Sequence, residues 1–346
     1  MRVSVAAERF AAQLHTGRSA TSPGQVAQRL LAIQAQDGRG ARLTVRSRST
    51  GLHGSDVDRS LAEASLVVSW LNRGTLHLVL PEDFWWLHDL TTPALMTGNL
   101  RRLSQEGVPP DDADRAVAII VRALTDGPMT RPQLRDLVAA AGLRTEGQAM
   151  VHVLFLATLR GLVLRGPMVG AEQAFVLVRD WLGAPPPVLA RDKALARLGE
   201  RYLAGHGPAD ARDLAKWAGI TLGDARTALR GVGRALVERE DGLLELVGAE
   251  HTDELPPPRL LGSFEPVLLG WASRDAIVGE DKTLVTTNGI FRPFALVDGV
   301  AVASWGMPGG TVVLQPFRPI SRAVSTALAA EAADIEQFLT RQKDTA

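Results

Sequence analysis

The chain has 346 residues, of which 46% are hydrophobic and 22% charged, and its 38 basic side chains balance 38 acidic ones. That composition describes a folded chain of two or three domains and excludes a disordered one. The absence of cysteine excludes disulfides, thiolate metal sites and a cysteine nucleophile. Glu8 and Arg9 interrupt the only apolar stretch at the N-terminus, which argues against a signal peptide. No run approaches the roughly 18 apolar residues of a membrane span, so a cytoplasmic protein without a membrane partner is expected. The charge is unevenly spread: residues 1–50 hold eight arginines against Glu8 and Asp37, a local balance of +6. Lysine occurs only at 193, 216, 282 and 343. GC-rich codon usage explains that skew more cheaply than selection for bidentate contacts.

In chain order, a helix over 5–16 is followed by Ser22-Pro23, where Ser suits the N-cap and Pro the first helical position. Gln34-Ala35-Gln36 comes next, with Arg39, Arg42, Arg46 and Arg48 behind it and Asp37 the one acid between them. Residues two apart share a direction only where the backbone is extended or turning, so the segment is expected to leave its helix near Gln34 and run on as an Arg-rich strand or loop. Two carboxamides on one side, each donating and accepting, can hold a water, a sugar hydroxyl or a base edge. On its own the tripeptide is a weak signal. A helix near 57–64 and strands near 66–70 and 75–80 complete a three-helix, two-strand module, and a helix over 83–107 acts as a connector. On the second strand Arg73, Thr75 and His77 fall on one face and Leu76 and Leu78 on the other, a row able to line a phosphate or sugar groove.

An internal repeat follows. Arg122–Pro128 leads to Leu134–Leu137 and closes at Gly142-Leu143; Arg201–Pro208 leads to Asp213-Leu214 and closes at Gly219-Ile220. In both copies a helix ends at Gly-Pro, a short helix follows and Gly closes it. Then come a third helix (about 145–159, about 222–231) and a strand pair, which makes each copy a winged helix. The presumed recognition helices, Glu146–Leu159 and Gly223–Arg230, carry few bases, so these two modules read as scaffold. After Pro256-Pro257-Pro258, β-rich segments at 283–287, 290–297, 300–305 and 311–316 are punctuated by Asn288-Gly289, Asp298-Gly299 and Gly309-Gly310, an antiparallel meander closed by a helix over 320–342. The fold expected is α+β: three tandem winged helices at 1–110 (with the connector), 111–186 and 187–252, then a β-rich domain at 253–346.

There is no Walker loop, Gly-x-Gly-x-x-Gly, His-Glu-x-x-His or Gly-x-Ser-x-Gly. Histidines 15, 53, 77, 88, 152, 206 and 251 lack metal-ligand spacing, and mid-helix His152 reads as structural. Neither metal nor cofactor is expected. Tandem winged helices point toward nucleic acid, although the same module also binds proteins.

Gln34-Ala-Gln36 with the basic run, Trp70-Leu-Asn-Arg-Gly-Thr-Leu-His77, His206-Gly-Pro208 with Asp213–Gly219, Leu260-Leu-Gly-Ser-Phe-Glu-Pro-Val-Leu-Leu-Gly270 and Asn288-Gly-Ile-Phe-Arg292-Pro together resemble the winged-helix DNA glycosylases of the AlkZ/YcaQ type, over nearly the whole chain. The resemblance implies a C-shaped clamp of three winged helices around DNA. It implies a Gln-aliphatic-Gln catalytic motif of the AlkZ branch, where the other branch has Asp at the second position; Ala35 is the smallest residue that can fill the middle. Members of that branch protect antibiotic producers from their own DNA-alkylating products. The resemblance therefore implies catalysis by Gln34 and Gln36. It implies contacts to duplex DNA carrying alkylated purines from Arg39, Arg42, Arg46, Arg73, Thr75 and His77, and from Asn288 and Arg292 of a C-terminal β-hairpin. A nucleoid-associated monomer with no obligate protein partner is expected. The competing class is a non-catalytic winged-helix regulator or a protein that sequesters lesions.

Overall fold

The computed structural model describes residues 5–17, 19–279, 283–286 and 288–340. The chain divides into two compact units, residues 58–191 and residues 1–57 together with 192–346. The first module expected from the sequence is therefore shared between them. The fold is α+β, with helices set against antiparallel sheets.

The N-terminal part of the split unit holds α1 (Val5–Ala12), α2 (Pro23–Leu30), the short strand β1 (Ile33–Gln34), α3 (Gly38–Arg46) and the start of α4 (Gly54–Ala62). Ser22 caps α2 as expected, accepting from the Gln25 N–H with Pro23 in the first turn. The Arg-rich run is not a strand. Asp37 N-caps it into α3.

The unit of residues 58–191 continues with β2 (Val67–Leu71), β3 (Thr75–Val79), α5 (Pro81–Thr91), α6 (Pro93–Gln105), α7 (Pro110–Ala123), α8 (Arg131–Ala140), α9 (Ala149–Leu159), β4 (Val163–Val169), β5 (Glu172–Leu177) and α10 (Val178–Leu182). Its strands run β3-β2-β4-β5, antiparallel throughout. The expected single helix 83–107 is broken at Thr92, because Pro93 has no N–H to offer the preceding turn. Helix α9 is apolar around most of its circumference, the pattern of a central rather than a surface helix. Its Phe155 meets Trp70 of β2 at 5.4 Å between ring centres. His152 is tied to Asn99 of α6, Nδ1 to Oδ1 at 2.8 Å, a structural role as read from the sequence.

The chain then returns with α11 (Arg191–His206), α12 (Ala211–Ala218), α13 (Leu222–Gly231), β6 (Leu236–Glu238) and β7 (Leu244–Leu246), the second copy of the repeat, before β8 (Arg259–Leu261), α14 (Pro266–Leu269), α15 (Asp275–Val278), β9 (Phe294–Val297), β10 (Val300–Gly306), β11 (Val313–Pro316) and α16 (Arg322–Leu339). Strand β8 escaped the sequence reading, whereas the expected strand at 283–287 is reduced among the described residues to one bridge between Val285 and Phe291. The sheet β11-β10-β9-β8 packs Leu260, Ala295, Ala303 and Trp305 against Leu328, Ile335 and Phe338 of α16 and Leu43 of α3.

The segment from His206 to Gly219 is held by aromatic packing. His206 stacks on Tyr202 at 4.9 Å and 7°, and leans on Trp217 at 5.1 Å. The Trp271 indole N–H donates to the His206 carbonyl, and the Tyr202 hydroxyl to that of Gly270. Burial is the main cause that pushes His206 down to about 3, His77 to about 3 and His15 to about 4. Each is neutral when folded and takes a proton below its ordinary 6.5 only with difficulty. The unfolded chain thus binds more protons between that value and the lowered ones, and stability falls as pH drops through this window. The urea midpoint is expected to decline steadily from pH 6.5 toward 4; a midpoint constant across that interval contradicts the burial of three neutral imidazoles.

Candidate functional site around the glutamine pair

Gln34 ends β1, and Ala35 and Gln36 form the bend before α3. The Gln34 side chain is buried, 7% exposed, whereas Gln36 is open to solvent. Asp37 anchors the exit of this bend twice. Its Oδ1 accepts from the Arg39 N–H at 3.0 Å and its Oδ2 from the Ser263 hydroxyl at 2.5 Å. Ser263 follows β8, and two glycines let the backbones meet there. A Cβ on Gly40 would strike the Ser263 carbonyl, and one on Gly262 would come 3.0 Å from the Leu43 Cβ and 3.2 Å from the Gly40 Cα. Gly40 admits no side chain at that approach, and one at Gly262 would force its neighbours apart.

Behind the bend, α3 is locked by two buried arginines. Arg46 donates to Asp334 through Nε and Nη2 at 2.8 and 2.5 Å and to the Leu260 carbonyl at 3.2 Å, with Glu331 3.1 Å away. Arg48 donates to Glu265 at 2.6 Å, to Gln13 at 2.9 Å and to the Thr44 carbonyl at 3.1 Å. Arg48 and Glu265 are fully enclosed. Burial alone would raise the Glu265 carboxyl; the Arg48 guanidinium overrides it and holds the group at about 2. His15 Nε2 lies 3.5 Å from the same carboxylate without a hydrogen bond, and burial together with Arg48 keeps it neutral. Arg46 was expected to meet DNA; its guanidinium is buried and committed to acids, so it fixes α3 instead. Arg39 is exposed, and half-buried Arg42 donates to the Gly38 carbonyl at 2.8 Å.

Asn288 is exposed within the turn that the Val285–Phe291 bridge closes, and exposed Arg292 follows just outside it, its N–H bonded to the Leu284 carbonyl at 2.9 Å. The Phe291 ring lies 5.7 Å from that of Phe264 and under the Arg274 guanidinium at 4.9 Å. Phe264 is the neighbour of Ser263, so Asp37, Ser263, Phe264 and Phe291 connect the glutamine bend to this turn.

In the other unit, Arg73 sits in the turn between β2 and β3 with φ 54°, not on the strand, and is half-buried. The Thr75 hydroxyl donates to the Asn72 carbonyl at 3.3 Å. His77 was expected to line a groove and contact DNA. It is 2% exposed, paired in register with Ser69, and its Nδ1 lies 2.9 Å from the Thr75 carbonyl. Burial first and Arg73 second suppress its protonation. Asn72, beside Arg73 in the chain, is fully buried with both amide atoms unpartnered among the described residues.

Among the described residues, one group has metal-ligand chemistry: Glu8, Glu245 and His251, with ligand atoms within 4.8 Å of one another. Arg239 already bridges both carboxylates at 2.8–3.0 Å and His251 bonds Glu8 at 2.7 Å, so the cluster works as an ion-pair clasp between α1 and β7.

A family model described as DNA glycosylase AlkZ-like matches residues 27–338. The chain belongs to the AlkZ-like DNA glycosylase family. The match takes in Gln34–Gln36, both buried arginines and the 260–265 segment that they grip. A member from Streptomyces sahachiroi named interstrand DNA cross-link repair glycosylase is 28% identical over 357 residues, covering 96% of this chain and 94% of its own. The solved structure of the Streptomyces sahachiroi DNA glycosylase AlkZ superposes with a TM-score of 0.77 at 25% identity, covering 99% of this chain and 98% of that one.

Removing one partner of a buried ion pair strands the other, at a cost of about 3–5 kcal/mol. Glu265→Gln is therefore expected to lower the stability of the protein by about that much in urea titration. A loss below about 1 kcal/mol, the value of an exposed pair, contradicts the assignment.

Proposed function

We propose that this AlkZ-like protein is a monofunctional DNA glycosylase that hydrolyses the N-glycosidic bond of alkylated purine nucleotides. Its substrates on this reading are bulky N7-alkylguanine and N3-alkyladenine adducts, including those that join two strands, and its role is self-resistance to a genotoxic natural product. The observation that carries the proposal is the Gln34-Ala-Gln36 bend, fastened by Asp37 to Ser263 within the segment matched by the family. The name of the Streptomyces relative supports the strand-joining substrate, and genes for a DNA-alkylating product beside this one would support the role.

An N7- or N3-alkylated purine is cationic and leaves as a neutral base, so its departure needs no proton donor. The site has to stabilise the oxocarbenium-like sugar and aim a water at C1′. Carboxamides do the aiming by hydrogen bonding, and substrate phosphates offset the sugar's charge. The proton of the attacking water passes to solvent. An aspartate at the second position would add general-base help of about 10²–10⁴-fold, needed when the leaving group is poor and dispensable when it is cationic. Gln34 and Gln36 are the catalytic pair; Arg39, Arg42, Arg73, Thr75, Asn288 and Arg292 remain the candidate DNA contacts. No lysine precedes Lys193, which supports hydrolysis over Schiff-base lyase chemistry.

On a duplex bearing an N7-alkylguanine, the wild type is expected to release the modified base, to leave an alkali-labile site and to give no borohydride-trapped adduct. Gln34→Ala and Gln36→Ala are expected to bind the duplex with single-turnover release slowed about 10²-fold or more, the cost of losing one preorganised donor. A double variant that releases base at the wild-type rate contradicts the assignment, and a wild type that binds without release favours a sequestering protein.

A further inference from the structure

Arg165 of β4 rests against two neighbouring aromatic rings. Its guanidinium carbon lies 5.3 Å from the Trp70 ring centre and 5.3 Å from that of Phe175. The rings are themselves near-parallel, 22° apart in tilt and 6.4 Å between centres. Among the described residues the Arg165 side chain makes no hydrogen bond and no ion pair, and its Nε is buried without a partner. Arg46 and Arg48 show what this protein otherwise does with a buried guanidinium, which is to give it carboxylates. Leaving one unpaired is costly, and two aromatic faces offset only part of that cost.

A second arginine stands close by. Phe175 is bridged to Met129 by paired backbone hydrogen bonds of 2.8 and 3.1 Å, which brings the start of α8, and with it exposed Arg131, beside the stack. Arg131 has no ion pair among the described residues, and its field disfavours the charge on Arg165. Glu172 is exposed and its field reaches Arg165, but no ion pair within 4 Å joins them. Two like charges held close without an ion-paired acid make a positive spot whose missing member is an anion.

We propose that Arg165 and Arg131 form a seat for a backbone phosphate of DNA on the winged helix of residues 111–186. Packing against the two rings restrains the side chain, and Nη1 and Nη2, unlike the enclosed Nε, are left as a fork that matches two phosphate oxygens. The buried, apolar α9 suits this module to scaffolding rather than to base reading, while its first wing strand supplies a sequence-independent anchor. The seat rests on the DNA-binding part of the proposed function and is independent of the catalytic pair.

The test is fluorescence anisotropy with an undamaged duplex over a salt series, for wild type, R131A, R165K and R165M, each with its thermal midpoint. Arg165→Met keeps much of the length that packs against the two rings. Each neutral variant is expected to bind about tenfold more weakly and to lower the slope of log affinity against log salt by about 0.9, the signature of one lost phosphate. R165K is expected to keep the slope and lose part of the affinity. Slopes unchanged in both R131A and R165M overturn the seat. If R165M loses its fold, R131A decides, because its side chain is exposed. A wild type that binds duplex with a salt slope but releases no base sinks the catalytic reading and leaves the seat standing. Wild-type base release with unaltered slopes in the variants sinks the seat alone. Weakening of Arg165-dependent binding of inorganic phosphate alone, with DNA binding untouched, identifies a free-anion site and also overturns it.

Discussion

The enclosed pair of Arg48 and Glu265, 2.6 Å apart and without solvent, sets the position of the glutamine bend. Two buried charges cost more than they return unless their remaining hydrogen-bonding capacity is met. Here Gln13, Ser47 and the Thr44 carbonyl meet most of that of Arg48, and the Thr44 hydroxyl contributes a long contact to Glu265. Such an arrangement tolerates one register of α3 against the 260–265 segment. The Gly40–Gly262 contact then brings Ser263 to Asp37, and Asp37 decides where α3 begins and Gln36 ends. A chain of dependencies thus runs from an ion pair in the core to two amides at its edge.

That dependency also explains the uneven legibility of the sequence. The repeat that announced two winged helices is local: Gly-Pro stops, capping residues and apolar spacing act within a few residues, and α7–α9 with β4–β5 and α11–α13 with β6–β7 appear where expected. The exit from the helix was expected near Gln34 and comes four residues earlier, at Leu30, with Gln34 already extended in β1. The basic run misled because its partners, Glu265, Glu331 and Asp334, lie more than 200 residues downstream. A sequence rich in arginine and poor in nearby acid reads as an electropositive surface, and nothing local distinguishes a guanidinium bound for phosphate from one bound for a distant carboxylate.

His77 failed in another way. Period-two alternation assigns it correctly to the face of Thr75, but alternation does not say whether that face is covered, and it is. The quoted segment His206–Gly219 is an aromatic lock built on Tyr202, Trp217 and Trp271. Motifs that identify a family can therefore be fold determinants, so a role for each has to be read from what its side chains touch.

The central claim is that amides suffice because the leaving group is already activated. Carboxamides do not titrate in the neutral range, and an acid or base taking part would leave its own ionisation in the rate. The most direct measurement is the pH profile of single-turnover base release from an alkylated duplex between about pH 6.5 and 9, divided by spontaneous release from the same duplex. The account predicts a flat ratio across that range. A sigmoid or bell-shaped ratio would reveal a titrating catalytic group and contradict it.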